Sequence, residues 1–396
     1  MKLSSRLEHI EPFYVMECAK AAREIAHGPL CDPARGGRPM IYLNIGEPDF
    51  TAAPLVVEAA ARCMAERRTQ YTQATGTPEL REAISRWYAE RFRLAIDPGR
   101  IVVTAGASAA LQLITLALVD AGDEVLLPDP SYPCNRHFVA AALGRPVLLP
   151  STAAQRFQLD ADAVAAAGGP RTRGVLLASP SNPTGTSIDP EEMGRIVRAV
   201  RARGGFTIVD EIYLGLSYDD RYGSSALAHG EDVVSINSFS KYFSMTGWRL
   251  GWMVVPTTLV PAIEKLAQNL FICASTLAQR AALACFEPES IAEYERRRAE
   301  FKARRDVVVP ALNAMGLTVP VMPDGAFYAW ADCSAHAASS WDFVFDTMRR
   351  AHVALTPGRD FGRHGAERWV RLSYANSLAQ LEEAMARLAA SLVAPM

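Results

Sequence analysis

The chain has 396 residues, and its 41 basic and 43 acidic side chains leave a formal charge of −2. With 49% hydrophobic and 21% charged residues, a chain of this length holds a large α/β domain with a smaller companion and is excluded from the disordered class. The near-neutral balance argues against a surface built to bind nucleic acid or any other polyanion.

The N-terminal stretch MKLSSRLEHIEPFYVMECAK places charges and Pro12 where a signal peptide needs an unbroken apolar core. No run approaches the roughly 20 apolar residues that cross a bilayer, and the seven cysteines show no CxxC pair. The expectation is a cytoplasmic, soluble protein with reduced thiols, no membrane contact and no nucleic acid partner. Strand-like apolar runs then follow at 101–104, 124–127, 174–178, 206–209, 233–236 and 250–255, separated by stretches of helical period. This alternation predicts a three-layer αβα domain around a mostly parallel mixed sheet. The large domain is expected over 48–290. A smaller α+β domain is expected from the two chain ends, 1–47 and 291–396, with a long charged helix from Pro288 to Leu312 as the hinge.

Chemistry concentrates where these strands end. IVVTAGASAALQL (101–113) is a strand, a small-residue turn and a helix start, so the amides of Gly106, Ala107 and Ser108 suit a phosphate. DPSYPCN (129–135) offers the flat ring of Tyr132 after the next strand, and LLASPSNPTGTSI (176–188) puts Asn182 in a strand-to-helix turn. FTIVDEIY (206–213) ends a strand in Asp210, where open α/β sheets hold ligands, with Tyr213 three residues on. SINSFSKYFSMTGWRLGW (235–252) follows a strand with Ser238, Ser240, Lys241 and Arg249. Two hydroxyls and a guanidinium so close to an amine can cradle a phosphate dianion. Only five lysines stand against 36 arginines, and Lys241 alone has that setting. A desolvated amine there could form a Schiff base. The seven histidines show no metal-binding spacing, so no metal is expected.

Six segments in order, YLNIGEPDF (42–50), YTQATGTPELREAI (71–84), SNPTG (181–185), VDEIY (209–213), SFSKYFSMTGWRLG (238–251) and RLSYA (371–375), resemble the fold-type I pyridoxal-phosphate aminotransferases of class I/II, in particular the bacterial aspartate and broad-range group. The resemblance implies pyridoxal 5′-phosphate as cofactor and Lys241 as the Schiff-base lysine and proton carrier. It pairs Asp210 with the ring nitrogen, places Asn182 and Tyr213 at the phenolic oxygen and stacks Tyr132 on the ring. The phosphate would fall to Gly106, Ala107, Ser108, Ser238, Ser240 and Arg249, joined by Tyr71 of a neighbouring subunit, which implies a homodimer with shared active sites. Arg371 would clamp the substrate carboxylate, helped by Asn182 and the backbone at Gly46. PDGAFYAW (323–330) resembles a strand of the family's small domain, with Tyr328 near the pocket.

Aspartate-preferring members of this group tend to carry a lysine where Ser108 stands. The N-terminal segment here offers Phe13 and Tyr14 where small hydroxyl residues are common. An apolar or aromatic lining without a cation disfavours a dicarboxylate. The reading is therefore transfer of an amino group from a neutral or aromatic L-amino acid to 2-oxoglutarate or pyruvate, in a ping-pong cycle. Aspartate as donor, or a C–S lyase on the same fold, are the alternatives.

Overall fold

The computed structural model describes residues 2–12 and 14–393. The strands, in chain order, are β1 (Ile41–Tyr42), β2 (Ile101–Thr104), β3 (Glu124–Asp129), β4 (Arg145–Pro150), β5 (Thr172–Ala178), β6 (Phe206–Asp210), β7 (Val233–Ser238), β8 (Gly251–Val254), β9 (Tyr328–Asp332), β10 (Val353–Ala354), β11 (Thr356–Pro357) and β12 (Trp369–Ser373). Seven of them form the large sheet in the order β2-β8-β7-β6-β5-β3-β4. All its neighbours run parallel except β8, which lies antiparallel to both β2 and β7. Helices on both faces bury the central strands, which is why β7 is buried throughout rather than alternating.

The sequence did not announce β4. Its prolines at 146 and 150 lack a ladder N–H, but on a sheet edge that costs nothing, and β4 pairs only with β3. The predicted long helix runs Pro288–Ala314. Near its middle Arg304, 2% exposed, meets both carboxylate oxygens of Asp49 at 2.7 and 2.9 Å, and Arg297 donates to the Thr51 carbonyl at 2.6 Å. These bonds tie the helix to the segment that follows Gly46.

The chain ends build the smaller domain around two short sheets, β1-β10 and β11-β12-β9. In the second, Arg371 of β12 sits opposite Trp330 on one side and Thr356 on the other. One apolar cluster continues through both parts, from Tyr88 beside the large sheet and Trp252 within it to Phe327, Val344 and Leu372. What positions the site is register. Ala178 pairs with Asp210, and Asp210 with Ile236, so the turns after β5, β6 and β7 leave the sheet side by side.

Candidate active site

A cavity of about 900 Å³ opens at this carboxyl edge, between the sheet and the chain-end domain. The helix Ala107–Leu118 points its N-terminus into it, with free amides where the dipole favours an anion. Gly106 precedes that helix at φ +83°, and a Cβ there would lie 2.7 Å from a guanidinium nitrogen of Arg249. Only glycine lets the cation approach the turn. Ser238 and Ser240 line the same end, and the Ser238 hydroxyl is fixed by accepting from the Ser240 amide at 3.0 Å and donating to the Leu250 carbonyl at 3.3 Å. Arg249 donates to the Thr246 carbonyl at 3.0 Å and has no carboxylate partner among the described residues. Amides, hydroxyls and an uncompensated guanidinium converge there as a phosphate-binding set.

Further in, Lys241 Nζ donates to the Gly46 carbonyl at 2.7 Å and lies 5.8 Å from the Tyr213 ring centroid. Its pKa falls to about 8, chiefly because burial disfavours the ammonium; Arg371 and Arg249 push the same way, while Glu47 and Asp210 oppose them. Asp210 ends β6 at 4% exposure. It accepts a bond from the Ile212 amide at 3.2 Å. Burial drives its carboxyl up to about 7, and the neighbouring Glu211 adds to the rise. Glu211 itself points away from the cavity's chemistry, bonded by Ser225, Ser235 and the Ala226 amide. A nearly dry carboxyl aimed into a cavity calls for a cationic or proton-bearing partner.

Arg371 is 3% exposed and has no carboxylate within ion-pair distance among the described residues. Its guanidinium donates to Asn182 Oδ1 at 2.9 Å and to the Asn44 carbonyl at 2.7 Å, and lies over the rings of Tyr328 and Phe361 at 4.5 and 4.8 Å. Neutral partners fix the fork without neutralising it, which leaves a clamp for an incoming carboxylate.

The profile of "Aminotransferase class I and II" matches residues 38–388. The chain belongs to the class I and II aminotransferases. It is 38% identical over 382 residues to the valine–pyruvate aminotransferase of Mycobacterium tuberculosis, covering 96% of each chain. Among solved structures it superposes on an aminotransferase from M. tuberculosis with a TM-score of 0.92 at 36% identity, covering 99% of both chains. It also superposes on the aspartate aminotransferase of Thermus thermophilus with maleate, with a TM-score of 0.90 at 32% identity, covering 99% of this chain and 100% of that one. The protein is a pyridoxal-phosphate-dependent aminotransferase, and the donor set fits that cofactor on its own chemistry. Lys241 suits the aldehyde, Asp210 the ring nitrogen, and the Gly106–Ser108 turn with Ser238, Ser240 and Arg249 the phosphate.

Among residues expected at this aminotransferase site, Ala107, Ser108, Tyr132, Asn182, Asp210, Tyr213, Ser238, Ser240, Lys241, Arg249, Arg371 and Gly46 all line the cavity, and Gly106 borders it through Arg249. Tyr71 lies outside, 82% exposed. Tyr14 is a correction. Asp360 takes the amides of Tyr14 and Val15, each at 3.1 Å, and starts the helix Tyr14–Ala26 there. That turns the Tyr14 ring onto Trp341 at 5.9 Å between centroids and puts Val15, Met16, Ala19 and Arg23 on the cavity side instead. Phe13 lies outside the described residues. The 15, 19, 23 spacing of one helical stripe was the available signal for this wall. Tyr328 proves central: its hydroxyl is 2.8 Å from that of Tyr213 and 2.4 Å from where a Cβ on residue 46 would stand, so Gly46 has to be glycine.

Proposed function

We propose that this aminotransferase moves the amino group of a neutral or aromatic L-amino acid to a 2-oxo acid such as 2-oxoglutarate or pyruvate, in two half-reactions, as a cytoplasmic homodimer. The observation that carries the reading of the reacting end is Arg371, buried without a counter-ion and held by Asn182 across the cavity from Lys241 and Asp210. The apolar wall of Val15, Met16, Ala19 and Ile45 favours an uncharged side chain. The valine–pyruvate relative supports the same choice.

Pyridoxal phosphate, when bound, supplies the electrophilic carbon that takes the amine and the ring that withdraws electrons from the substrate Cα. The chain's own residues do the rest. Arg371 takes the substrate α-carboxylate in a two-pronged grip and so fixes which Cα bond faces Lys241. Lys241, its pKa near 8, releases and recovers a proton close to neutrality and moves it to and from Cα. Asp210 would keep a proton on the ring nitrogen, and Asn182 and Tyr213 would hold the phenolic oxygen. The Tyr213 hydroxyl is oriented by Tyr328.

The dimer reading rests on Tyr71. Its neighbours are pinned, Gln70 by the Thr276 hydroxyl at 2.6 Å and Thr72 by the Gln279 amide at 2.9 Å, so the ring is presented outward for a second subunit. The cytoplasmic setting is consistent with seven free cysteines. A second reading, aspartate as donor, is favoured by the T. thermophilus relative; Ser108, where a carboxylate-reading lysine would be needed, speaks against it. The test is a donor panel of valine, leucine, alanine, phenylalanine and aspartate with 2-oxoglutarate or pyruvate, following the 2-oxo acid product. Higher kcat/KM for neutral donors is expected, and a clear aspartate preference overturns the proposal. Release of ammonia with pyruvate in place of transfer would mark a lyase.

A further inference from the structure

Lys241 and Tyr213 follow different strands, β7 and β6, yet their roles need them side by side, and Nζ lies 5.8 Å from the Tyr213 ring centroid. The register of β6 on β7 fixes where the strands end, not the course of the turns beyond them. What joins the two turns is Tyr242, the residue after Lys241. It is 3% exposed and packs among Trp87, Phe243 and Tyr294 rather than lining the cavity. Its ring lies on the backbone of Gly215, two residues past Tyr213: a Cβ on residue 215 would stand 2.7 Å from the Tyr242 Cγ. Only glycine permits that approach.

The Tyr242 hydroxyl closes a ring of contacts. It donates to Glu295 Oε1 at 2.6 Å and accepts from Arg91 at 3.2 Å. Arg91 also meets Glu295 at 2.6 Å, donates to the Gly215 carbonyl at 3.1 Å and lies over the Tyr242 ring at 4.7 Å. The other Glu295 oxygen takes Arg298 at 2.7 Å, and Arg298 donates to the Ser217 carbonyl at 2.9 Å. One carboxylate on the helix Pro288–Ala314 thus anchors the residue after Lys241 directly and the turn after Tyr213 through two arginines. An isolated surface ion pair contributes little, but here each bond ends on a group adjoining the site, and the bonds share partners. The neighbouring Arg296 makes the contrast, because its pairs with Glu293 and Glu300 stay within the helix.

We infer that Glu295, acting through Tyr242 and Arg91, is a positioning residue of the reaction, which holds the Lys241 turn and the Tyr213 turn at one spacing. None of the three side chains lines the cavity. The inference is independent of the donor amino acid and rests on the roles of Lys241 and Tyr213 at the cofactor. A displacement between the two turns changes how the amine meets the reacting Cα but leaves the grip of Arg371 intact, so its effect belongs in kcat rather than KM. It also loosens the Tyr213 bond to the phenolic oxygen. A donor there favours the deprotonated form of the bound cofactor, so loosening it raises the pH midpoint of the cofactor's absorbance.

The experiment is a pH titration of the bound cofactor's absorbance without substrate, for the wild type, Tyr242→Phe, Glu295→Gln and Arg296→Gln, with steady-state kinetics of each. Tyr242→Phe keeps the ring on Gly215 and deletes only the hydroxyl, so it carries the test should Glu295→Gln fail to fold. In both variants the midpoint should rise by about half a pH unit, part of one hydrogen bond at the phenolic oxygen. Their kcat should fall about tenfold with KM nearly constant, less than a full ångström of misplacement costs. Arg296→Gln removes bonds within the same helix only and should match the wild type. An unmoved midpoint in Tyr242→Phe, an equal shift in Arg296→Gln, or a loss carried by KM overturns the inference. If borohydride traps the wild-type cofactor on a lysine other than Lys241, the site reading and the inference fall together. If it traps on Lys241 while the variants keep the wild-type midpoint, the inference falls alone.

Discussion

Replacing Asp210 with Asn should stabilise the cofactor-free protein while disabling the enzyme. Burial is the main reason the carboxyl rises from 3.8 to about 7. Between those two values the native state binds the proton that the unfolded chain has lost. Stability therefore falls as pH rises through the window and levels off above it. The full penalty above pH 7 comes to about 4 kcal/mol. Asparagine carries no such cost but weakens the bond from the Ile212 amide, worth about 1 kcal/mol. The net gain is about 3 kcal/mol, or about 3–4 °C in Tm for a chain of this length at ~2.1 cal/mol/K per residue. Scanning calorimetry of cofactor-stripped wild type and Asp210→Asn between pH 5 and 9 should show the gap widening to pH 7 and then staying constant. With pyridoxal phosphate restored the ranking should reverse, and kcat should fall at least about a hundredfold, because asparagine cannot keep a proton on the ring nitrogen. A cofactor-free variant that melts no higher than wild type, or an offset independent of pH, would refute the burial argument.

Capture of pyridoxal phosphate by the cofactor-free protein, trapped with borohydride, should accelerate through pH 8 rather than above pH 10, because desolvation lowers the Lys241 pKa; Lys241→Ala should abolish both trapping and turnover. Arg371→Gln should lower kcat/KM about a hundredfold, mostly through KM, from the loss of two charge-assisted bonds to the substrate carboxylate; steady-state kinetics with one donor settles it, and a loss confined to kcat would contradict the clamp. Tyr328→Phe removes the 2.8 Å bond to the Tyr213 hydroxyl. It should cost about 1 kcal/mol in kcat/KM and shift the pH titration of the bound cofactor's absorbance; an unmoved titration would make Tyr328 a packing residue only.

The cofactor end of the site was legible in the sequence because each of its residues sits at a fixed offset from the end of a buried strand. Asp210 closes β6, Lys241 follows β7 by three residues, and the Gly106 turn joins β2 to its helix. Local pattern sets such positions, and parallel pairing then brings them together at the carboxyl edge. The substrate end was less legible. Tyr14 was expected at the pocket because it neighbours the right segment, but which face of a helix looks inward depends on where the helix starts, and Asp360, far along the chain, fixes that start. Arg23 was one arginine among 36 until the fold turned its helix stripe toward the cavity. The edge strand β4 was missed for a related reason, since tolerance of its prolines is a property of sheet position.

The sequence by itself determined the chemistry of this aminotransferase: an amine, an acid and a phosphate cradle attached to strand ends, each dictated by a short contiguous segment. Only the tertiary structure decided which cations remain without counter-ions, and so which anions the cavity seeks. Arg371 lies in the second chain-end segment. Its charge becomes available to a ligand because folding surrounds it with neutral partners, and pairing of that kind is a property of distance, not of order along the chain.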